Sequence, residues 1–136
     1  MAHARTSPCG KPEARQRART ARAYLEVADL VLVEVQRNEF MNVASGLAVL
    51  AGVAASDAIC GVRLGQIFRG EDHRGAGEML SQAVPDGPKL KTQLLRLLDV
   101  KDAAHYGVTL VAPRRALDAV KWAAALVRRA EEEVER

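Results

Sequence analysis

The chain has 136 residues, 49% of them hydrophobic but only 4% aromatic, and its 20 Lys and Arg against 17 Asp and Glu leave a net charge of +3. That length gives about one domain with a core of its own, and an apolar complement made mostly of Ala, Leu and Val suits close-packed helices better than a β-sandwich. Two cysteines, Cys9 and Cys60, stand in no short or zinc-type spacing, which argues against a disulfide framework or a zinc module and for a reducing cytoplasm.

Charge is unevenly placed. Arg5, Lys11, Arg15, Arg17, Arg19 and Arg22 stand against Glu13 alone in residues 1–22, a local excess of +5, so the other 114 residues carry −2. Residues 1–11, broken by Pro8 and Gly10 and without the apolar stretch of a secretory signal, are expected to form a disordered basic arm. Arg15, Arg17, Arg19 and Arg22 extend its charge and are candidate contacts to nucleic-acid phosphates. Residues 12–136 are then one helical domain.

A first helix is expected from Pro12 or Glu13 to about Arg37, with Ala21, Tyr24, Ala28, Val31 and Val35 inward. A second should run from Met41 or Asn42 to about Phe68. It is apolar nearly all round, which marks a central helix. It nears membrane length, but Asp57 at its middle is costly in a bilayer, so no membrane span is expected. Asp57 needs a partner in apolar surroundings, and Arg63, Lys101 or His105 are the candidates. Asp72 is a suitable N-cap for a short third helix opening at His73. "PDGP" at 85–88 reads as a loop, and a fourth helix follows from Lys89 to Tyr106, stopped by Gly107. "VTLVAP" is extended, and Pro113 opens a fifth helix that ends in "EEEVER". The expectation is an all-α bundle of about five helices.

The fifth helix carries Leu117, Val120, Trp122, Ala123, Ala124, Leu126 and Val127, more apolar surface than one stripe buries, so a two-fold homodimer is expected there. Polar chemistry concentrates in "LLDVKDAAHYG". Lys101 and His105 are four apart and point the same way, Asp102 precedes His105 by three, and Tyr106 follows Asp102 by four. Lys101 can hold a phosphate, His105 can act as acid or base, and Asp102 can orient it. Asp57, His73 and Tyr106 are further candidate binding residues. Phosphate loops, nucleophile elbows and di-iron helix motifs are absent, so neither a cofactor nor a metal is expected.

Taken in order, "ARAYLEVAD", "NVASGLAVLAGVAASDAIC", "EDHRGAGEMLSQ", "LLRLLDVKDAAHYG" and a long Ala-rich last helix resemble a HEPN domain over about residues 18–132, most closely the compact stand-alone HEPN proteins of actinobacterial type. The resemblance implies a four- or five-helix bundle, a homodimer and a bacterial toxin–antitoxin or defence setting. In ribonuclease members an arginine, usually followed by a polar residue, and a histidine after four to six residues cut RNA without metal at the dimer cleft. Lys101 takes the arginine's place, Asp102 the polar place and His105 falls near the histidine's. Lysine lacks the planar fork of arginine, and only three residues separate it from His105. The resemblance therefore implies a cytoplasmic module with a degenerate catalytic motif that binds RNA, a nucleotide or a partner protein. A metal-independent ribonuclease is the alternative, and a scaffold or antitoxin-like bundle with no nucleic-acid role is the third.

Overall fold

A computed structural model describes residues 5–34, 37–105 and 110–136. Among them are five helices, α1 (Lys11–Glu34), α2 (Glu39–Leu64), α3 (His73–Ala83), α4 (Gly87–His105) and α5 (Pro113–Val134), and two short strands, β1 (Thr6–Pro8) and β2 (Gln66–Phe68). The fold is the all-α bundle expected from the sequence, with a two-stranded clip added.

Helix α2 is the axis. Ala44, Ala48, Ala51, Ala54, Ala55 and Ala58 are fully buried, and small side chains on several faces let α1, α4 and α5 approach together. At Gly52 a Cβ would stand 2.5 Å from Leu97 Cδ1, so the α2–α4 crossing depends on its absence. By length and hydropathy α2 is the one described helix that could cross a membrane, yet 72% of its most apolar window is buried inside the bundle. It ends at Leu64, four residues before the expected Phe68, because Gly65 takes a left-handed φ of 71° and its N–H returns to the Gly61 carbonyl.

The residues released from α2 become β2, which pairs antiparallel with β1 in the register Thr6↔Phe68, Ser7↔Ile67, Pro8↔Gln66. This corrects the expectation of a disordered arm over 1–11 for its described part, residues 5–11. Cys9, expected in a flexible start, is buried with Ala14 and Ile67 in a small core under the clip. Lys11 already begins α1, and Ala14, Ala18, Ala21, Leu25 and Ala28 are its buried row. Asp72 caps α3 as expected, accepting from the Arg74 N–H. Helix α4 starts at Gly87, two residues before Lys89, since Pro88 in a first turn needs no acceptor for an N–H. Asn42 ties the far end of the bundle: its Nδ2 donates to the Ala103 carbonyl and its Oδ1 accepts from the Val111 N–H. Val35, Tyr106 and Gly107 lie outside the described residues.

One expectation about α5 changes. Val120, Ala123, Leu126 and Val127 are consumed by the bundle's own core, and Trp122 packs half-buried beneath Arg96. Exposed apolar residues lie more on α1, where Val27, Leu30 and Val33 are 46%, 59% and 66% exposed. The acidic end of α5 is tied into the bundle. Glu133 is 0% exposed and accepts from Arg63 Nε at 2.7 Å and Nη2 at 3.0 Å, with Arg129 Nε at 3.4 Å. Arg129 in turn donates to Asp86 at 2.7 Å, joining α5 to the turn before α4.

The Arg63 hydrogen bonds hold the Glu133 carboxyl below its ordinary value. A depressed carboxylate adds stability above its unfolded pKa, and that stability is lost as pH falls through the folded value. Glu133→Gln should lower the free energy of unfolding at pH 7 by about 1.5–3 kcal/mol, the range for a hydrogen bond to a charged group. In urea titrations the gap to wild type should close as the buffer is acidified below pH 4. An equal gap at both pH values would show that shape, not charge, is what Glu133 contributes.

Candidate functional site

A cleft of about 450 Å³ with converging polar groups lies between α2, the turn after β2, the start of α3 and one face of α4. Helical spacing builds each wall. Val53, Ser56 and Asp57 lie three and four apart on α2, and Leu94, Leu98 and Lys101 follow at four and three on α4, so each set shares one face. Gly65 ends α2 early enough for the chain to turn and place Phe68 as the third wall. The Phe68 ring lies against α3, where a Cβ at Gly75 would be 2.6 Å from its Cε1. Glu71 and Asp72 stand exposed at the rim, with half-buried His73 just inside.

Asp57 sits in the α2 wall with its side chain 15% exposed. Its partner is none of the expected residues but Arg17 of α1, whose Nε and Nη2 donate at 3.1 and 2.8 Å. Both bonds end on Oδ2, and among the described residues Oδ1 has no hydrogen-bond partner. Burial raises the Asp57 pKa, and the attraction of Arg17 opposes this only in part. The neutral acid is therefore the form the folded protein favours relative to the unfolded chain.

The structure thus brings Asp57, His73 and Lys101 to one cleft. It does not bring Asp102 or His105 there. Asp102 is exposed, since one residue past Lys101 is about 100° round the helix. His105 is exposed one turn further along α4, where its Nε2 would be 2.9 Å from a Cβ placed on Gly46 of α2. Tyr106 lies outside the described residues.

Arg15, Arg17, Arg19 and Arg22 lie along α1, within the span expected for the first helix. Arg17 holds Asp57, and Arg22 holds Glu131 through Nε at 2.9 Å and Nη2 at 2.6 Å. Arg15 and Arg19 are exposed, and with Arg22 they border a shallow groove of about 740 Å³ against the end of α5. Its other bank carries Glu131 and Glu135, so the groove is not uniformly basic.

Sequence reasoning missed Phe68, Glu71 and the Arg17–Asp57 pair. The first had a signal, a helix-ending glycine followed by the extended "QIF". The pair joins residues 40 positions apart and had none. Cysteine chemistry has little support: burial pushes the Cys60 thiol up to about 12 and raises Cys9 as well, leaving no ready thiolate at neutral pH. Among the described residues no group of three or more His, Cys, Asp or Glu is placed to hold a metal. No protein-family model matches this chain, and no curated protein matches it at a significant level.

An acid in a cleft whose pKa burial raises is a candidate site residue. A raised acid pKa makes folding less favourable as pH climbs from the unfolded value to the folded one. Asp57→Asn should therefore melt at the same temperature as wild type or higher at pH 7, relative to the difference at pH 3.5. Thermal melts at the two pH values check this. A variant that loses stability at pH 7 but not at pH 3.5 would make Asp57 a structural anchor for Arg17.

Proposed function

We propose that the chain is a HEPN-type helical module that binds RNA or a nucleotide through the Asp57–His73–Lys101 cleft, as a homodimer and without cutting. The observation that carries this is the position of Lys101. The residue in the place of the family's arginine lines the cleft with an aromatic wall beside it. A half-buried ammonium in such a site attracts phosphate, and Phe68 offers a ring to a base.

Support for binding over cleavage comes from the residues that the cleavage motif needs. His105 and Asp102 are not among the cleft's lining residues, so phosphate held at Lys101 has no imidazole from the same motif beside it. The exposed row Val27, Leu30 and Val33 supports pairing with a second copy through α1. Two unpaired, buried cysteines accord with a reducing cytoplasm. Arg15 and Arg19 supply a non-specific electrostatic contribution that salt screens.

The test is a panel of labelled RNAs incubated in EDTA with protein whose mass in solution has been compared with the 14.7 kDa chain. The expected result is a shifted but intact RNA and a mass of two chains. Lys101→Ala should weaken the shift about tenfold, the equivalent of about 1.4 kcal/mol, and His105→Ala should leave it in place. Cleavage by wild type that His105→Ala abolishes would overturn this reading in favour of the metal-independent ribonuclease. Absence of a shift with every RNA, together with no binding of any mononucleotide, would overturn it in favour of a protein scaffold or antitoxin-like bundle.

A further inference from the structure

Resting on the nucleotide-binding reading, we propose that the cleft selects guanine, with Asp57 Oδ1 accepting from the base's N1–H and N2–H₂ edge while Lys101 takes the phosphate end. The argument begins with how Asp57 is held. Arg17 places both of its hydrogen bonds on Oδ2. This fixes the carboxylate in one orientation and leaves Oδ1 without a hydrogen-bond partner among the described residues, on a residue that lines the cleft. Of the neighbouring wall residues, Val53, Leu94 and Leu98 are aliphatic and offer no donor, and the Ser56 hydroxyl is engaged with the Cys60 thiol. An acceptor that Arg17 leaves to solvent is open to a ligand that brings N–H groups in place of water.

Which ligand follows from the other walls. A polyamine or guanidinium would also satisfy Oδ1, but Lys101 lines the same cleft and repels a cation. The ring of Phe68 and the aliphatic side chains favour a flat, largely apolar body. The ligand is therefore planar, has N–H donors on one edge and carries an anionic group. A volume of about 450 Å³ is within the range of small-molecule sites. Glu71 and Asp72 at the rim work against phosphate, but both are exposed and screened by salt, and Asp72 already accepts the Arg74 N–H through Oδ1.

Among the common bases only guanine sets two donors side by side. Adenine and cytosine place a ring acceptor next to the amino group, which would face the carboxylate lone pairs. Uracil flanks its single N–H with two carbonyls. The same oxygen that attracts guanine thus repels the others, and selectivity comes from both effects.

Full-length protein is titrated by calorimetry with the 5′-monophosphates of guanosine, inosine, adenosine, cytidine and uridine. The guanosine nucleotide should bind about tenfold or more tightly than the adenosine, cytidine and uridine nucleotides, with inosine between them. Asp57→Asn, shown to be folded by circular dichroism, should bring all five within about twofold of one another. Lys101→Met should weaken all five while keeping their order. Equal binding of all five by wild type, or a guanosine preference unchanged in Asp57→Asn, overturns the proposal. RNA shifted in gels with no preference among mononucleotides sinks guanine selection and leaves RNA binding standing. Guanosine selection with no RNA shift does the reverse, and no binding of either kind removes both.

Discussion

The structure depends on one constraint: α2 must be covered on nearly every side. A 26-residue helix with this run of Ala, Gly, Val and Leu gains its stability by burial, at roughly 25 cal/mol per Å² of apolar surface removed from water. Small side chains let three long helices crowd against it, and Gly65 ends it so that the strand clip can cover its last turns. Covering is incomplete along the line between α1 and α4. There α2 carries a carboxylate in place of an alanine, and there the cleft opens.

The molecule holds two carboxylate–arginine pairs of opposite character. Glu133 is wholly buried, receives both nitrogens of Arg63 on separate oxygens and is further approached by Arg129, so its pKa falls. Every acceptor is in use, and the pair joins the end of α2 to the end of α5. Asp57 receives both nitrogens of Arg17 on one oxygen, keeps the other without a hydrogen-bond partner among the described residues, and its pKa rises. The same two functional groups therefore make a completed clamp at one place and an incomplete shell at another. Hydrogen-bond accounting separates them: a structural pair is saturated, whereas a binding group has capacity left.

The parts of this fold visible in the sequence are those set by local chemistry. Asp72 before His73, Pro113 at the start of α5 and the small-residue run of α2 each act within a turn or two of themselves. The strand pair was hidden because three residues are too few to alternate, and Thr6–Pro8 meets Gln66–Phe68 across some 60 positions. The basic start misled for another reason. Its charge drew attention from Ala14, Ala18 and Leu25, which with Ala21 have the three- and four-residue spacing of a helix's core face. For the site, spacing put Lys101 and His105 on one side of α4 but did not show how far the cleft extends. Four residues carry His105 about 6 Å further along α4, to the level of Gly46, eleven residues and about 16 Å from Asp57 along α2.

The most direct test of the central claim, that the cleft and not the arginine-lined groove is the binding surface, is residue-level mapping by nuclear magnetic resonance. Methyl- and amide-labelled protein is titrated with guanosine 5′-monophosphate. The account predicts concentration-dependent shifts at Val53, Asp57, Ala76, Leu98 and Lys101, with Arg15, Arg19 and Arg22 little changed. Shifts confined to the α1 arginines and the end of α5, with the cleft methyls unmoved, would contradict it.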